Sequence, residues 1–186
     1  MAALQTTANE RSTAIRFLDG VDRLIGLICK SVVLSTGVVL LFAIIIGVIA
    51  RYVIDVGGVD WAEELPKQLY SWFIMAGIVL ALQHGNHIAV DLIYNFLPKT
   101  GRQVLIVCAN LLICGAYVYL FTTALDVADI AAAEKNPMLG TPNSLPFYAL
   151  AGGSLLTAVG ALTIAIRVFL LGPDAKPQGA AEESVV

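Results

Sequence analysis

DWAEELPKQLYSWFIMAGIVLALQHGNHIAVD, residues 60–91, is the stretch from which the fold of this chain follows. It opens as a helix start. Asp60 is placed to cap the first turn, and Glu63, three residues on, can reach back to it as in a capping box. Glu63 and Glu64 put two carboxylates where the helix dipole favours negative charge. Lys67 follows at four residues from Glu63 and three from Glu64, within reach of both on a helix. From Leu69 to Leu82 the chain is apolar, and it leaves through Gln83-His84-Gly85-Asn86-His87. A charged collar with a tryptophan beside it thus runs straight into a membrane-grade segment, which is not how a soluble core helix is written.

Composition agrees. Of all residues 58% are hydrophobic and 13% charged, with mean hydropathy +0.82, against roughly 25% charged in soluble domains. So few charges cannot clothe a soluble globule of this size. The net charge of −3 points to neither nucleic acid nor an acidic substrate. Cys29, Cys108 and Cys114 form no CxxC pair, and the last two lie about 600° of helix rotation apart. All three read as small apolar packing residues, not as disulfide partners or metal ligands.

Upstream, Ser12 can cap a helix in which Phe17, Val21, Leu24 and Ile28 recur at helical spacing, with Arg11, Arg16, Arg23 and Lys30 supplying charge. This suits an amphipathic helix lying in the interface over about 13–28. It does not suit a cleavable signal peptide, because the apolar run that follows is too long and no small-residue cleavage site precedes a polar region. Ser31–Ala50 gives 20 charge-free residues, about 30 Å of helix, which matches the hydrocarbon thickness. It ends at Arg51-Tyr52, an interfacial anchor pair. Val53–Val59, with Gly57-Gly58, reads as a short turn. The second span has a charge-free part of only 16 residues, Gln68–Gln83, so the collar must lengthen it. Pro66 is expected to kink it near its outer end.

Downstream, HIAVDLIYNFL (87–97) places Ile88, Leu92, Ile93 and Phe96 near one side and closes at Pro98, a short surface helix. Gln103–Leu125 is a third span, and DVADIAAAEKNPMLGTPNS reads as a polar loop. Ser144 is expected to cap a fourth span, with Pro146 in its first turn. From 173 onward, Pro173, Pro177 and Glu182-Glu183 read as a disordered tail. The expectation is an all-α integral membrane protein. It has one four-span domain over 1–172, with spans at about 31–51, 61–83, 103–125 and 145–167, short interfacial amphipathic helices and no soluble domain. Lysines and arginines number eight on the side of the two termini and His84–Arg102, and three on the other. That bias puts both termini in the cytoplasm and the collar outside.

Chemistry-bearing residues are few. Glu63 and Glu64 are adjacent, about 100° apart on a helix, which argues against a paired-carboxylate hydrolase. They read as solvated cap charges, or as groups that fix the depth of the span or join a partner's polar network. His84 and His87 could share a helical face and invite a haem or zinc reading. Gly85 and Asn86 separate them at a span's end, however, and no other span supplies a histidine. No span carries a charge at its centre; the mid-span polar residues are hydroxyls and small groups such as Ser35, Thr36, Thr122, Thr123 and Thr157. Transporters of charged solutes place ionisable groups or broken helices near the midplane. Alone, this chain reads as a scaffold without cofactor or catalytic residue. In the fourth span Ala149, Gly153, Thr157, Ala161 and Ala165 repeat every four residues, a ridge of small side chains that admits another helix closely. That helix is either one of the chain's own or one from a partner.

Arg51-Tyr52 after the first span, Trp61-Ala62-Glu63-Glu64-Leu65, Lys67, Trp72, Gly77, His87-Ile88-Ala89-Val90-Asp91 and Leu97-Pro98 together resemble one family. It is the small, four-helix (DctQ-type) membrane subunit of the tripartite ATP-independent periplasmic (TRAP) transporters. The matching residues cover about 50 positions, and the four-span layout extends the likeness to nearly the whole chain. The resemblance implies a bacterial inner-membrane complex in which a periplasmic solute-binding protein captures an organic acid, often a C4-dicarboxylate or sialic acid. A large multi-span permease subunit carries the solute with sodium by an elevator-type movement, while the small subunit packs beside it among membrane lipids. Trp61, Glu63, Glu64, His87 and Asp91 stand at the family's signature positions, without assigned roles. The competing expectation is a tetraspan assembly or anchor protein not involved in transport.

Overall fold

The computed structural model describes residues 2–53, 61–83 and 98–172, with side chains in the first stretch from Leu18 to Tyr52. Four helices carry them: α1 (Ala2–Val53), α2 (Trp61–Gln83), α3 (Lys99–Ala131) and α4 (Leu145–Leu171). Each contains a stretch long and apolar enough to cross a membrane. The architecture is all-α with four such helices. The Asp60 cap, the Gly57-Gly58 turn, His84, His87, Asp91, the helix expected at 87–97 and the tail beyond Gly172 lie outside the described residues.

α1 packs on α2, α2 on α4, and α4 on α3, while α1 touches α4 only slightly. The helices therefore form an open row in the order α1–α2–α4–α3. Glycines set the first contact. Gly26 faces Gln83, Gly37 faces Phe73 and Gly47 faces Ala62. One number rises as the other falls, so α1 and α2 are antiparallel in a single register. Between α2 and α4 the pairing runs the other way: Met75 sits at Gly153 and Leu82 at Gly160, seven residues on in both helices. Seven residues are two turns, so the same two faces meet twice and the helices are parallel. α3 is antiparallel to α4, because Gln103 near its start donates to the Val168 and Phe169 carbonyls at 3.2 and 3.1 Å.

Lipid is as apolar as leucine, so helices in a bilayer are held by close packing and hydrogen bonds and not by sequestering greasy side chains. The burial pattern follows this rule. All five residues of the small-residue ridge, Ala149, Gly153, Thr157, Ala161 and Ala165, are buried. Large apolar residues point outward instead: Leu34, Leu112 and Tyr119 are each more than 70% exposed. The apolar stripe of α1 divides under the same rule. Val21 does pack, with Ile25, Cys29 and Val79, but Leu24 and Ile28 face out. Cys29 is buried and Cys114 packs at the α3–α4 seam, whereas Cys108 is exposed; all three are free.

Four details of the helices add to the sequence pattern. The segment read as an interfacial helix is continuous with the first span in α1. α3 continues past Leu125 through Asp126 and Asp129 to Ala131, since exposed carboxylates and alanines do not oppose helical hydrogen bonding. α2 runs unbroken through Pro66, close enough to the start of the helix to disturb few of its bonds. Ser144 occupies the cap position of α4 but makes no side-chain cap bond. Its own backbone is already helical (φ −74°, ψ −19°), whereas a capping side chain works from an extended backbone.

Candidate functional site

The polar side chains of the row gather at its two ends. At the end where α2 begins, the connection from α3 to α4 folds into a small closed loop around Asn136. The Asn136 side-chain oxygen accepts the Met138 and Leu139 amides at 2.9 and 3.1 Å. Its backbone donates to the Thr141 carbonyl at 2.9 Å and accepts from Gly140 at 2.8 Å. Gly140 has φ +66°, a left-handed conformation suited to glycine. The remaining donor, the Asn136 amide nitrogen, reaches Glu64 at 3.0 Å. Glu64 also accepts from Lys67 one turn on. Half-buried Glu64 is therefore, among the described residues, the collar carboxylate bound to another element; Glu63 is exposed. It lines a shallow groove with Arg51, Gly47 and Pro66, while Trp61 stands exposed at the head of α2.

At the other end Arg167 of α4 donates to Asp19 at 2.7 Å and to Asp22 at 2.9 Å, both on α1. The Thr163 hydroxyl, also on α4, lies 3.1 Å from the second Asp22 oxygen and 2.8 Å from the Gly160 carbonyl. Gln83 of α2 donates to the Asp22 backbone carbonyl at 3.0 Å. One polar knot thus joins α1, α2 and α4 where α1 and α4 otherwise scarcely touch.

Between the ends five hydroxyls return to their own helices, while the buried Ser154 hydroxyl of α4 has no hydrogen-bond partner among the described residues. Ser35 and Thr36 donate to the Val32 carbonyl, Thr122 and Thr123 to Tyr119, and Thr157 to Gly153. A donor returned to the preceding turn is not offered to a solute. Asn110 is buried in α3 and donates to Ile106. Among the described residues no cluster of three or more potential metal ligands occurs.

Of the residues singled out from sequence, the structure brings Glu64 and Lys67 together and sets Arg51 and Glu63 along one groove. It covers Gly153, Thr157 and Ala161 from within the chain, where Met75 of α2 meets Gly153. Of the two occupants open for the ridge, the structure shows the chain's own helices. Sequence reading passed over Asn136, Asn110 and the Asp19–Asp22–Arg167 knot. Asn136 in a connection is an ordinary turn residue, and Asp19, Asp22 and Asn110 within helices carry no local sign of a partner; only the tertiary structure distinguishes them.

The family profile described as the DctQ component of tripartite ATP-independent periplasmic transporters matches residues 40–171. The chain is similar to an uncharacterised protein, y4mM, of Sinorhizobium fredii, at 43% identity over 145 residues, 78% of this chain and 27% of that protein. The chain therefore spans about a quarter of that relative's length. A putative TRAP transporter small permease protein of Haemophilus influenzae is 24% identical over 112 residues, 60% of this chain and 67% of the relative. The ectoine TRAP transporter small permease protein TeaB of Halomonas elongata is 28% identical over 155 residues, 81% of this chain and 78% of the relative.

Proposed function

Because the chain belongs to the DctQ component family of tripartite ATP-independent periplasmic transporters, we propose that it is the stationary wall of a sodium-coupled importer of an organic acid. In this reading a periplasmic binding protein delivers a C4-dicarboxylate, sialic acid or similar solute, and a large permease subunit carries it. The small permease role itself follows from the family. The observation that carries the scaffold reading is the distribution of polar groups. Ion pairs lie at the two ends of the row, and the mid-span hydroxyl residues are uncharged: Thr36, Thr123 and Thr157 bond their own helices, and Ser154 is buried. A carrier of charged solute needs ionisable groups or broken helices near the midplane. A stationary wall needs only a fixed shape and a fixed depth, which end-placed charges supply. In this reading the chain sits in a bacterial inner membrane with both termini on the cytoplasmic side, the side that the lysine and arginine bias favours.

The test is reconstituted uptake. The large subunit and binding protein are expressed with and without this chain, and uptake of labelled dicarboxylates and sialic acid is followed with an imposed sodium gradient. Uptake is expected only with all three components and with sodium, and without ATP. Full uptake without this chain would leave it an assembly or anchor protein. Replacing both Glu63 and Glu64 with alanine should lower the maximal rate with solute preference unchanged; a changed preference at normal complex levels would make the carboxylates solute ligands.

A further inference from the structure

We infer that the cleft at the N-terminal end of the first span binds the phosphate of a phospholipid headgroup, in the leaflet which that end enters. The cleft opens between α1 and α4 beside the Arg167 knot and has a volume of about 410 Å³. That lies within the range of small-molecule sites, roughly 300–1,000 Å³. Glycines make the room: Gly26 of α1 and Gly160 of α4 both line it.

Charge decides the ligand. Asp19 and Asp22 are both engaged by Arg167. Arg23 and Lys30 line the same cleft, are exposed, and join no ion pair among the described residues. They are seven residues apart, two turns, so both stand on one face of α1. Three cations against two carboxylates leave one positive charge, matching a single phosphodiester. Arg23 supplies a planar fork of donors suited to phosphate, and Lys30, nearer the bilayer, can bury its stem and lift its ammonium toward the headgroup.

Apolar side chains line the cleft between its cations. Leu27, 59% exposed, and Ile164 form its walls, in the slot where α1 and α4 hardly meet. Cations interleaved with an exposed leucine in an open slot fit an amphiphile better than a free anion. Phosphatidylglycerol has the required single charge. The inference requires the helices to lie in a bilayer but no particular orientation across it.

Native mass spectrometry of the detergent-solubilised full chain with dioleoylphosphatidylglycerol tests this. One lipid per chain should persist after activation, with retention at least tenfold lower for dioleoylphosphatidylcholine. Retention should fall at least tenfold in the Arg23→Gln/Lys30→Gln double variant and survive in Arg23→Lys/Lys30→Arg, which keeps the charge. Because these side chains are exposed, an unchanged melting temperature in lipid-free detergent confirms that each variant is folded. Glycerol 1-phosphate provides the second arm: displacement of the lipid at equal concentration would make the site one for free phosphate and overturn the lipid assignment. Equal retention by wild type and the double glutamine variant would overturn the site itself.

Discussion

Glu63 and Glu64 are neighbours in sequence, but about 100° of helix rotation separates their surroundings. Glu64 accepts from Lys67 and from Asn136, which lies 72 residues further along the chain. Glu63 remains exposed. Single alanine substitutions should therefore differ: Glu64→Ala lowers the melting temperature of the purified chain, and Glu63→Ala leaves it within about 0.5 kcal/mol of wild type, as for an ordinary surface change. Asn136→Ala should cost more. It removes acceptors for two loop amides and the bond to Glu64 from a residue only 8% exposed, and leaving such groups unsatisfied costs about 1–3 kcal/mol. Thermal unfolding followed by tryptophan fluorescence measures both; equal effects of the two glutamate variants would contradict the asymmetry. The Glu64–Lys67 pair was legible in sequence because charges one turn apart on a helix meet by local geometry. Its partner Asn136 was not, because one asparagine in a turn-rich loop carries no sign of where its amide will point.

Adjacent glycines in α4 show what a single element contributes. A Cβ on Gly153 would lie 2.5 Å from the Met75 Cβ, closer than real atoms come, whereas one on Gly152 meets nothing within 4 Å. Gly153→Ala should therefore destabilise by about 1–3 kcal/mol through overpacking. Gly152→Ala should be neutral or stabilise by up to about 1 kcal/mol through helix propensity. Adding Met75→Ala to Gly153→Ala should recover only part of the loss, since it removes the Met75 Cγ and Cε contacts but keeps the Cβ. Melting temperatures of the four proteins decide this; equal behaviour of the two glycine variants would place the α2–α4 seam elsewhere. Sequence predicted the close-approach ridge because small residues every four positions mark a helix face in any solvent. Leu24 and Ile28, read as the apolar face of an interfacial helix, are exposed, as side chains that face lipid are. The bounds of α2 were readable from its collar and exit, but a helix leaving the bilayer, as α3 does toward Ala131, meets no apolar boundary to mark its end.

At the scale of the whole molecule, the row α1–α2–α4–α3 carries its ion pairs at its two ends, Glu64–Lys67 at one and Asp19–Asp22–Arg167 at the other. Such an array resists movement along the bilayer normal, because sliding it in either direction drags one charged end toward hydrocarbon. Its depth is thereby fixed, and the lysine and arginine bias of eight against three favours the orientation with both termini in the cytoplasm. That bias makes a prediction readable in intact cells. In a background with Cys29, Cys108 and Cys114 changed to alanine, single cysteines are introduced at Thr6, Gln178 and Met138 and treated with a membrane-impermeant thiol reagent. Met138 is chosen over its neighbour Asn136 because it is 57% exposed, whereas Asn136 is buried beneath the loop. The Met138→Cys protein should label in intact cells, and Thr6→Cys and Gln178→Cys only after the membrane is opened. Labelling of both termini with protection at Met138 would invert the orientation, placing the Glu64 end on the cytoplasmic side. Labelling of one terminus alone would require an odd number of crossings, which four membrane-spanning helices cannot supply.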